Sequence, residues 1–136
     1  MKTSPMEIPV NEFSSPITDT ATEDMHIQDV FKLMKDKGYR HLPVQKNNQP
    51  VGIISERDIR FLQSVDLGSS FIKAKDIMSP TPYCVSPNTP LEEVAFEMSK
   101  RKIGSALLIN TNGELDGIFT STDGLNALIE VVRGEF

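Results

Sequence analysis

Two short stretches hold the residue types best suited to recognising a small polar ligand. Gly52-Ile53-Ile54-Ser55-Glu56-Arg57-Asp58 is answered by Gly117-Ile118-Phe119-Thr120-Ser121-Thr122-Asp123. Each reads glycine, two apolar residues, a hydroxyl, two variable positions and an aspartate. The apolar pair ends a strand, and the hydroxyl residue begins a helix. A helix N-terminus presents unpaired N–H groups and partial positive charge, which suits a phosphate. The hydroxyl adds a donor. The carboxylate three residues on can accept from two vicinal hydroxyls, as on a ribose. The same Ser/Thr-x-x-Asp spacing also describes a helix cap that binds nothing. Duplication copies a cap as faithfully as a site, so the motif alone leaves both readings open.

The elements that position these residues are themselves repeated. The aspartates lie 123 − 58 = 65 positions apart. Upstream the offset is 64: Ser15-Pro16 matches Ser79-Pro80, and Leu42-Pro43-Val44 matches Ala106-Leu107-Leu108. The slip falls in a polar turn, Gln45–Pro50 against Ile109–Glu114, where an insertion is tolerated. Ile27, Val30, Phe31 and Met34 form an i, i+3, i+4, i+7 stripe, as do Leu91, Val94, Ala95 and Met98. Each stripe predicts a buried helix face. Thr89 as N-cap, Pro90 at the first helical position and Glu92 in a capping box start the second of these helices. Gly38 ends the first.

Two strands follow in each copy, His41–Val44 and Val51–Ile54, then Ala106–Ile109 and Leu115–Phe119, turned by Asn47-Asn48 and Asn112-Gly113. A final helix carries Ile59, Phe61 and Leu62, or Leu125, Leu128 and Ile129. Each copy opens with a short helical lead-in (Val10–Ser14; Ala74–Met78) closed by Ser-Pro, then an extended piece (Ile17–Ala21; Pro82–Val85). The order is β-α-β-β-α, twice. Residues 1–9 read as a flexible tail, 10–65 as the first unit, 66–73 as a linker containing Gly68-Ser69-Ser70, and 74–136 as the second unit, all in one compact α/β module.

Bulk properties narrow the function classes. Net charge is −5 over 136 residues, so nothing draws the chain broadly to nucleic acid or anionic membrane. No apolar run approaches a membrane span, and the N-terminus lacks an apolar signal core, which predicts a cytoplasmic protein. One cysteine, Cys84, and two histidines give no metal cluster, and Cys84 reads as a small buried strand residue. No paired nucleophile and base can be assembled, so the expected function is non-enzymatic.

Taken together, the motifs make the chain resemble a tandem pair of CBS domains, the module named after cystathionine β-synthase. The first copy carries the resemblance in Gly38-Tyr39-Arg40-His41-Leu42-Pro43-Val44 and Gly52–Asp58. The second carries it in Asp76-Ile77-Met78-Ser79-Pro80, Val85–Glu93, Ile103-Gly104-Ser105 and Gly117–Asp123. The resemblance covers roughly residues 10–132. It implies two β-α-β-β-α units packed through their sheets with pseudo-twofold symmetry, and two clefts for adenosine-containing ligands. In the first cleft it implies Ser55, Arg57 and Asp58 with Arg40 and His41 facing phosphate, completed by Met78, Thr81, Tyr83, Ile103 and Gly104. In the second it implies Thr120 and Asp123, completed by Ser14, Ile17, Asp19 and Tyr39. The basic residues favour the first cleft, and Asp19, if it points inward, opposes phosphate in the second.

The implied function is a regulatory module that senses AMP, ADP or ATP and signals to a separate, unidentified effector protein. A ligand-free dimerisation module and an S-adenosylmethionine binder remain alternatives. The apolar Phe31, Phe61, Leu62, Phe96, Ile129, Val131, Val132 and Phe136 predict a homodimer.

Overall fold

The computed structural model describes residues 7–65 and 71–135. Expectations placed on residues 1–6, on Gly68-Ser69-Ser70 and on Phe136 lie outside the described residues. A 3-10 turn over Val10–Glu12 leads into β1 (Ser15–Pro16), α1 (Ile27–Lys37), β2 (His41–Lys46) and β3 (Gln49–Ser55). Then come α2 (Glu56–Val65), α3 (Ala74–Ile77), β4 (Cys84–Val85) and α4 (Leu91–Arg101). β5 (Ser105–Ile109), β6 (Leu115–Thr120) and α5 (Ser121–Arg133) complete a mixed α/β fold. The chain groups into two compact units, one of Thr18–Pro82 and one of Met1–Ile17 with Tyr83–Phe136.

In the unit of Thr18–Pro82, β2 and β3 form an antiparallel hairpin with His41 opposite Ser55 and Val44 opposite Gly52. Asn47 and Asn48 both hold positive φ, 54° and 63°, which asparagine tolerates and a two-residue hairpin turn demands. Single bridges extend the hairpin on both sides, Ala21 parallel to Val44 and Ser79 antiparallel to Ile53. In the other unit the strand order is β1-β6-β5-β4. Ser15 pairs antiparallel with Ile118, and Val85 pairs parallel with Leu108. These are the same positions of the repeat. The leaders are exchanged, however: Ser15 opens the first repeat but pairs with the second repeat's β6, and Ser79 opens the second but pairs with the first repeat's β3.

Three of the four residues in each helical stripe bury as expected, whereas Phe31 is only partly buried and Ala95 is exposed. Ile27, Val30 and Met34 of α1 are buried with Leu42, Val44, Ile54 and Ile59. Leu91, Val94 and Met98 of α4 are buried with Ala106, Leu108, Phe119 and Ala127. Gly38 closes α1 in the left-handed conformation at φ 70°. Lys102 closes α4 the same way at φ 55°, a conformation that crowds a side chain. Glu92 and Glu93 lie in the first turn of α4, and Lys100 and Arg101 in its last, complementing the helix dipole.

Several expectations need correction. Thr89 is not the N-cap of α4: the helix starts one residue later, Pro90 takes the cap position, and no side-chain cap bond forms. The Thr89 carbonyl instead accepts from Val10 N–H at 2.8 Å. The flexible tail does not extend to residue 9. Ile8 is buried in the core with Val10, and its carbonyl accepts from Leu91 N–H at 2.7 Å. The helical lead-ins are shorter than Val10–Ser14 and Ala74–Met78, because Ser15 and Ser79 already pair as strand and Met78 is the extended C-cap of α3. Cys84 lies in β4 but is exposed, on a two-residue edge strand.

Candidate functional site

Each heptapeptide sits where a strand hands over to a helix. β3 ends at Ser55 and α2 starts at Glu56; β6 ends at Thr120 and α5 starts at Ser121. In the first copy Ser55 donates to Asp58 Oδ2 twice, from its backbone N–H at 3.0 Å and its hydroxyl at 2.9 Å. Asp58 N–H donates back to Ser55 Oγ at 3.3 Å. The second copy repeats this with Thr120 and Asp123 at 2.9, 3.2 and 3.4 Å. The helix-cap reading of the motif is therefore satisfied in both copies, and one carboxylate oxygen of each aspartate is committed to it.

The second oxygen distinguishes the copies. Ser15 Oγ donates to Asp123 Oδ1 at 3.3 Å. No described residue donates to Asp58 Oδ1. A carboxylate offers about four acceptor positions. Among the described residues, two are taken at Asp58 and three at Asp123.

Basic and acidic residues both lie on the elements next to Asp58. Glu56 N–H donates to the Arg40 carbonyl at 2.8 Å, and His41 is the cross-strand partner of Ser55, so the start of β2 is held beside the start of α2. The Arg40 and Arg57 side chains are exposed. His41 is half-buried, and its Nδ1 is fully covered with no hydrogen-bond partner among the described residues. Burial foremost, then the Arg40 charge, hold the imidazole below its ordinary pKa, while Asp58 and Glu56 pull the other way. Glu56 is itself paired with Arg60 at 2.7 Å.

The glycine opening each heptapeptide has a steric reason that the sequence does not state. A Cβ on Gly52 would lie 2.4 Å from Met78 Sδ, so the thioether rests directly on β3. A Cβ on Gly117 would come within 3.2 Å of the Ser15 carbonyl oxygen and 3.6 Å of Ser14 Oγ. At both positions the leader packs close against the bare glycine backbone, and a side chain there would force Met78 or the Ser15 segment to shift.

Ser55, Arg57, Asp58, Arg40, His41, Met78 and Thr81 thus fall within the unit of Thr18–Pro82, whereas Tyr83, Ile103 and Gly104 belong to the other. Thr81 is exposed. Tyr83 lies under Arg101, whose guanidinium sits 4.6 Å from the ring centroid; burial first, then Glu97 and Glu93, push its hydroxyl pKa up. The Gly104 carbonyl accepts from Ser121 N–H at 3.1 Å, and Ile103 is partly exposed beside it.

Of the residues grouped with Asp123, Thr120, Ser14 and Ile17 share its unit, while Asp19 and Tyr39 belong to the unit of Thr18–Pro82. Ser14 Oγ is turned to the Asn11 carbonyl at 3.3 Å. Tyr39 Oη donates to Asp19 Oδ2, and Thr18 Oγ1 joins them, 2.7 Å from Tyr39 Oη. Asp19 is therefore engaged by two hydroxyls of its own unit. Ser15, outside the residues expected from the sequence, is the one whose hydroxyl reaches Asp123. It stood in the repeat only as half of a Ser-Pro stop, and its match to Ser79 was the available signal.

With the geometry in place, the comparisons are specific. The CBS domain family model matches residues 10–64 and 74–130. A crystal structure of a putative acetoin utilization protein (AcuB) from Vibrio cholerae superposes with a TM-score of 0.79 at 26% identity, covering 93% of each chain. A crystal structure of CBSX2 in complex with AMP superposes at 0.77 with 25% identity, covering 92% of this chain and 98% of that one. Inosine-5'-monophosphate dehydrogenase of Korarchaeum cryptofilum is 31% identical over 104 residues, which are 76% of this chain but only 21% of that protein. The chain spans about a fifth of that relative's length. Among the described residues, no helix is long and apolar enough to cross a membrane.

Proposed function

The chain belongs to the CBS domain family, and from that premise we propose that it is a non-enzymatic regulatory module that binds an adenine nucleotide of the AMP, ADP or ATP class and signals to a separate effector protein. The observation that carries this reading is Asp58. One carboxylate oxygen holds the start of α2, and the other faces no donor among the described residues. Vicinal ribose hydroxyls supply the donors that this oxygen lacks. Arg40, Arg57 and the start of α2 supply the positive field for a phosphate. The AMP bound in the CBSX2 relative supports the same ligand class.

No step of catalysis belongs to this reading. Although Cys84 is exposed on its edge strand, partial desolvation of the thiolate pushes its pKa up, the opposite of what a nucleophilic cysteine needs. A second copy of the chain is the proposed structural partner. α4 and α5 present Phe96, Leu125, Leu128, Ile129 and Val132, each at least 46% exposed, and an apolar groove of about 420 Å³ lies between Leu91 and Ala95 of α4 and Ala127, Leu128 and Val131 of α5. Faces of this kind mark interfaces.

The test is a calorimetric and thermal-shift panel with AMP, ADP, ATP and S-adenosylmethionine. A saturable heat with one of the three nucleotides, with about 2.7 kcal/mol of stabilisation at a hundredfold excess over Kd, is the expected result. Binding of S-adenosylmethionine alone would move the ligand class. Silence with all four at millimolar concentration would leave a dimerising scaffold whose Ser/Thr-x-x-Asp motifs are caps only.

A further inference from the structure

The two heptapeptides are equivalent in sequence and cap their helices in the same way, yet their aspartates are not equally available. We infer that Ser15 is an internal occupant of the Asp123 site: its hydroxyl takes the acceptor position a ribose hydroxyl would use, and so ranks the two nucleotide sites. The inference rests on the adenine-nucleotide reading above and adds to it the residue that sets the order of filling.

Four observations support it. Ser15 is fixed where it can reach Asp123, because β1 pairs with β6 in the register Ser15–Ile118, and Gly117 lets its backbone approach. Its Oγ donates to Asp123 Oδ1 at 3.3 Å. That oxygen is the one the helix cap leaves over, since Oδ2 already takes the Thr120 N–H and hydroxyl. The equivalent residue in the other copy, Ser79, pairs its backbone with Ile53 in the same way, but its hydroxyl does not donate to Asp58. One acceptor arrangement thus occurs with and without its internal donor in a single chain.

Among the described residues nothing donates to Asp58 Oδ1, so a ligand arriving there meets both of its acceptor positions open. A ligand arriving at Asp123 finds one position taken. It must share the oxygen or displace Ser15, and displacement forfeits a hydrogen bond to a carboxylate. The Ser15–Asp123 bond is exposed, so its net worth is small, and the penalty on binding is about three- to tenfold.

The experiment isolates the weak site. In an Asp58→Ala background, AMP is titrated calorimetrically into the protein with and without Ser15→Ala. Ser15 is exposed and pairs through its backbone, which alanine retains, so the fold persists; melting curves of both proteins check this. The expected result is a gain of about three- to tenfold in AMP affinity from Ser15→Ala, and no gain from Ser79→Ala introduced in an Asp123→Ala background. Unchanged or weakened binding with Ser15→Ala, while the unsubstituted protein binds AMP, overturns the role of Ser15 alone. Absence of adenine-nucleotide binding by the unsubstituted protein overturns the underlying reading, and Ser15 with it.

Discussion

Replacing Asp58 separates the two jobs its carboxylate holds. Asp58→Ala removes the acceptor for the Ser55 N–H at 3.0 Å and hydroxyl at 2.9 Å, which dissolves the cap of α2. Loss of such a cap costs about 1 kcal/mol, a fall in Tm of roughly 3–5 °C for a chain of this size. The same substitution removes the charged acceptor for the ligand. Hydrogen bonds to a charged group contribute about 1.5–3 kcal/mol, so AMP affinity falls about tenfold to a hundredfold. Asp58→Asn keeps an oxygen that can accept from Ser55 but loses the charge. It should recover most of the lost Tm while leaving affinity depressed. Asp123→Ala should cost a similar amount of stability and leave the tight site nearly untouched. Calorimetric titration with AMP, alongside melts without ligand, reads both quantities. Full affinity in Asp58→Asn, or an affinity loss from Asp123→Ala as large as that from Asp58→Ala, would refute the assignment of the tight site to Asp58.

Three further outcomes are expected. His41 is held below its ordinary pKa of 6.5, so below about pH 6.5 the unfolded chain binds a proton that the native chain refuses. Native stability from this residue is full above 6.5 and is lost as the pH falls through the window beneath it; the difference in denaturation midpoint between wild type and His41→Gln should shrink from pH 7 to pH 5, and parallel curves would count against it. Lys102→Gly should stabilise the protein by about 0.5–1 kcal/mol in chemical denaturation, because it removes a side chain from the left-handed cap of α4, where the first repeat has Gly38; a loss of stability would mean that the lysine side chain matters more than the backbone strain. Sedimentation at micromolar concentration should show a homodimer that Phe96→Glu combined with Val132→Glu dissociates, these residues being 63% and 77% exposed on the apolar face; a wild-type monomer would remove this interface.

The repeat made much of the fold legible. Periodic stripes such as Ile27, Val30 and Met34 mark buried helix faces because burial is what the period records. Asn47-Asn48 marks a tight hairpin because the turn needs two positive φ angles. The handover from strand to helix at Ser55 and Thr120 was visible for the same local reasons. What the sequence hid was non-local. Nothing in Ser15-Pro16 says which sheet edge so short a strand will join, since two residues carry no pattern. Ile8 looked like tail because prolines flank it, although its burial is decided by α4, more than 80 residues away. Thr89 is held outside the helix, its carbonyl accepting from Val10 and the Pro87 carbonyl from Asn11. Asp123 Oδ1 accepts from Ser15 while no described residue donates to Asp58 Oδ1, a difference that the matching motifs do not carry.

The exchanged leaders bear on how such a duplication can be taken apart. A gene fragment encoding only residues 74–136 would carry Ser79, the leader for the other half's β3, and would lack Ile8, Val10 and Ser15. Its β6 would present a bare edge, and its core would lose two buried aliphatic side chains, conditions under which strands recruit neighbours. Two such fragments can satisfy each other by reciprocal donation, each placing its own leader on its companion's sheet. Fusion into one chain makes that donation intramolecular, at an effective concentration no free fragment reaches. Neither repeat therefore carries its own leader, and cutting the chain between the repeats separates each sheet from the segment that pairs with it.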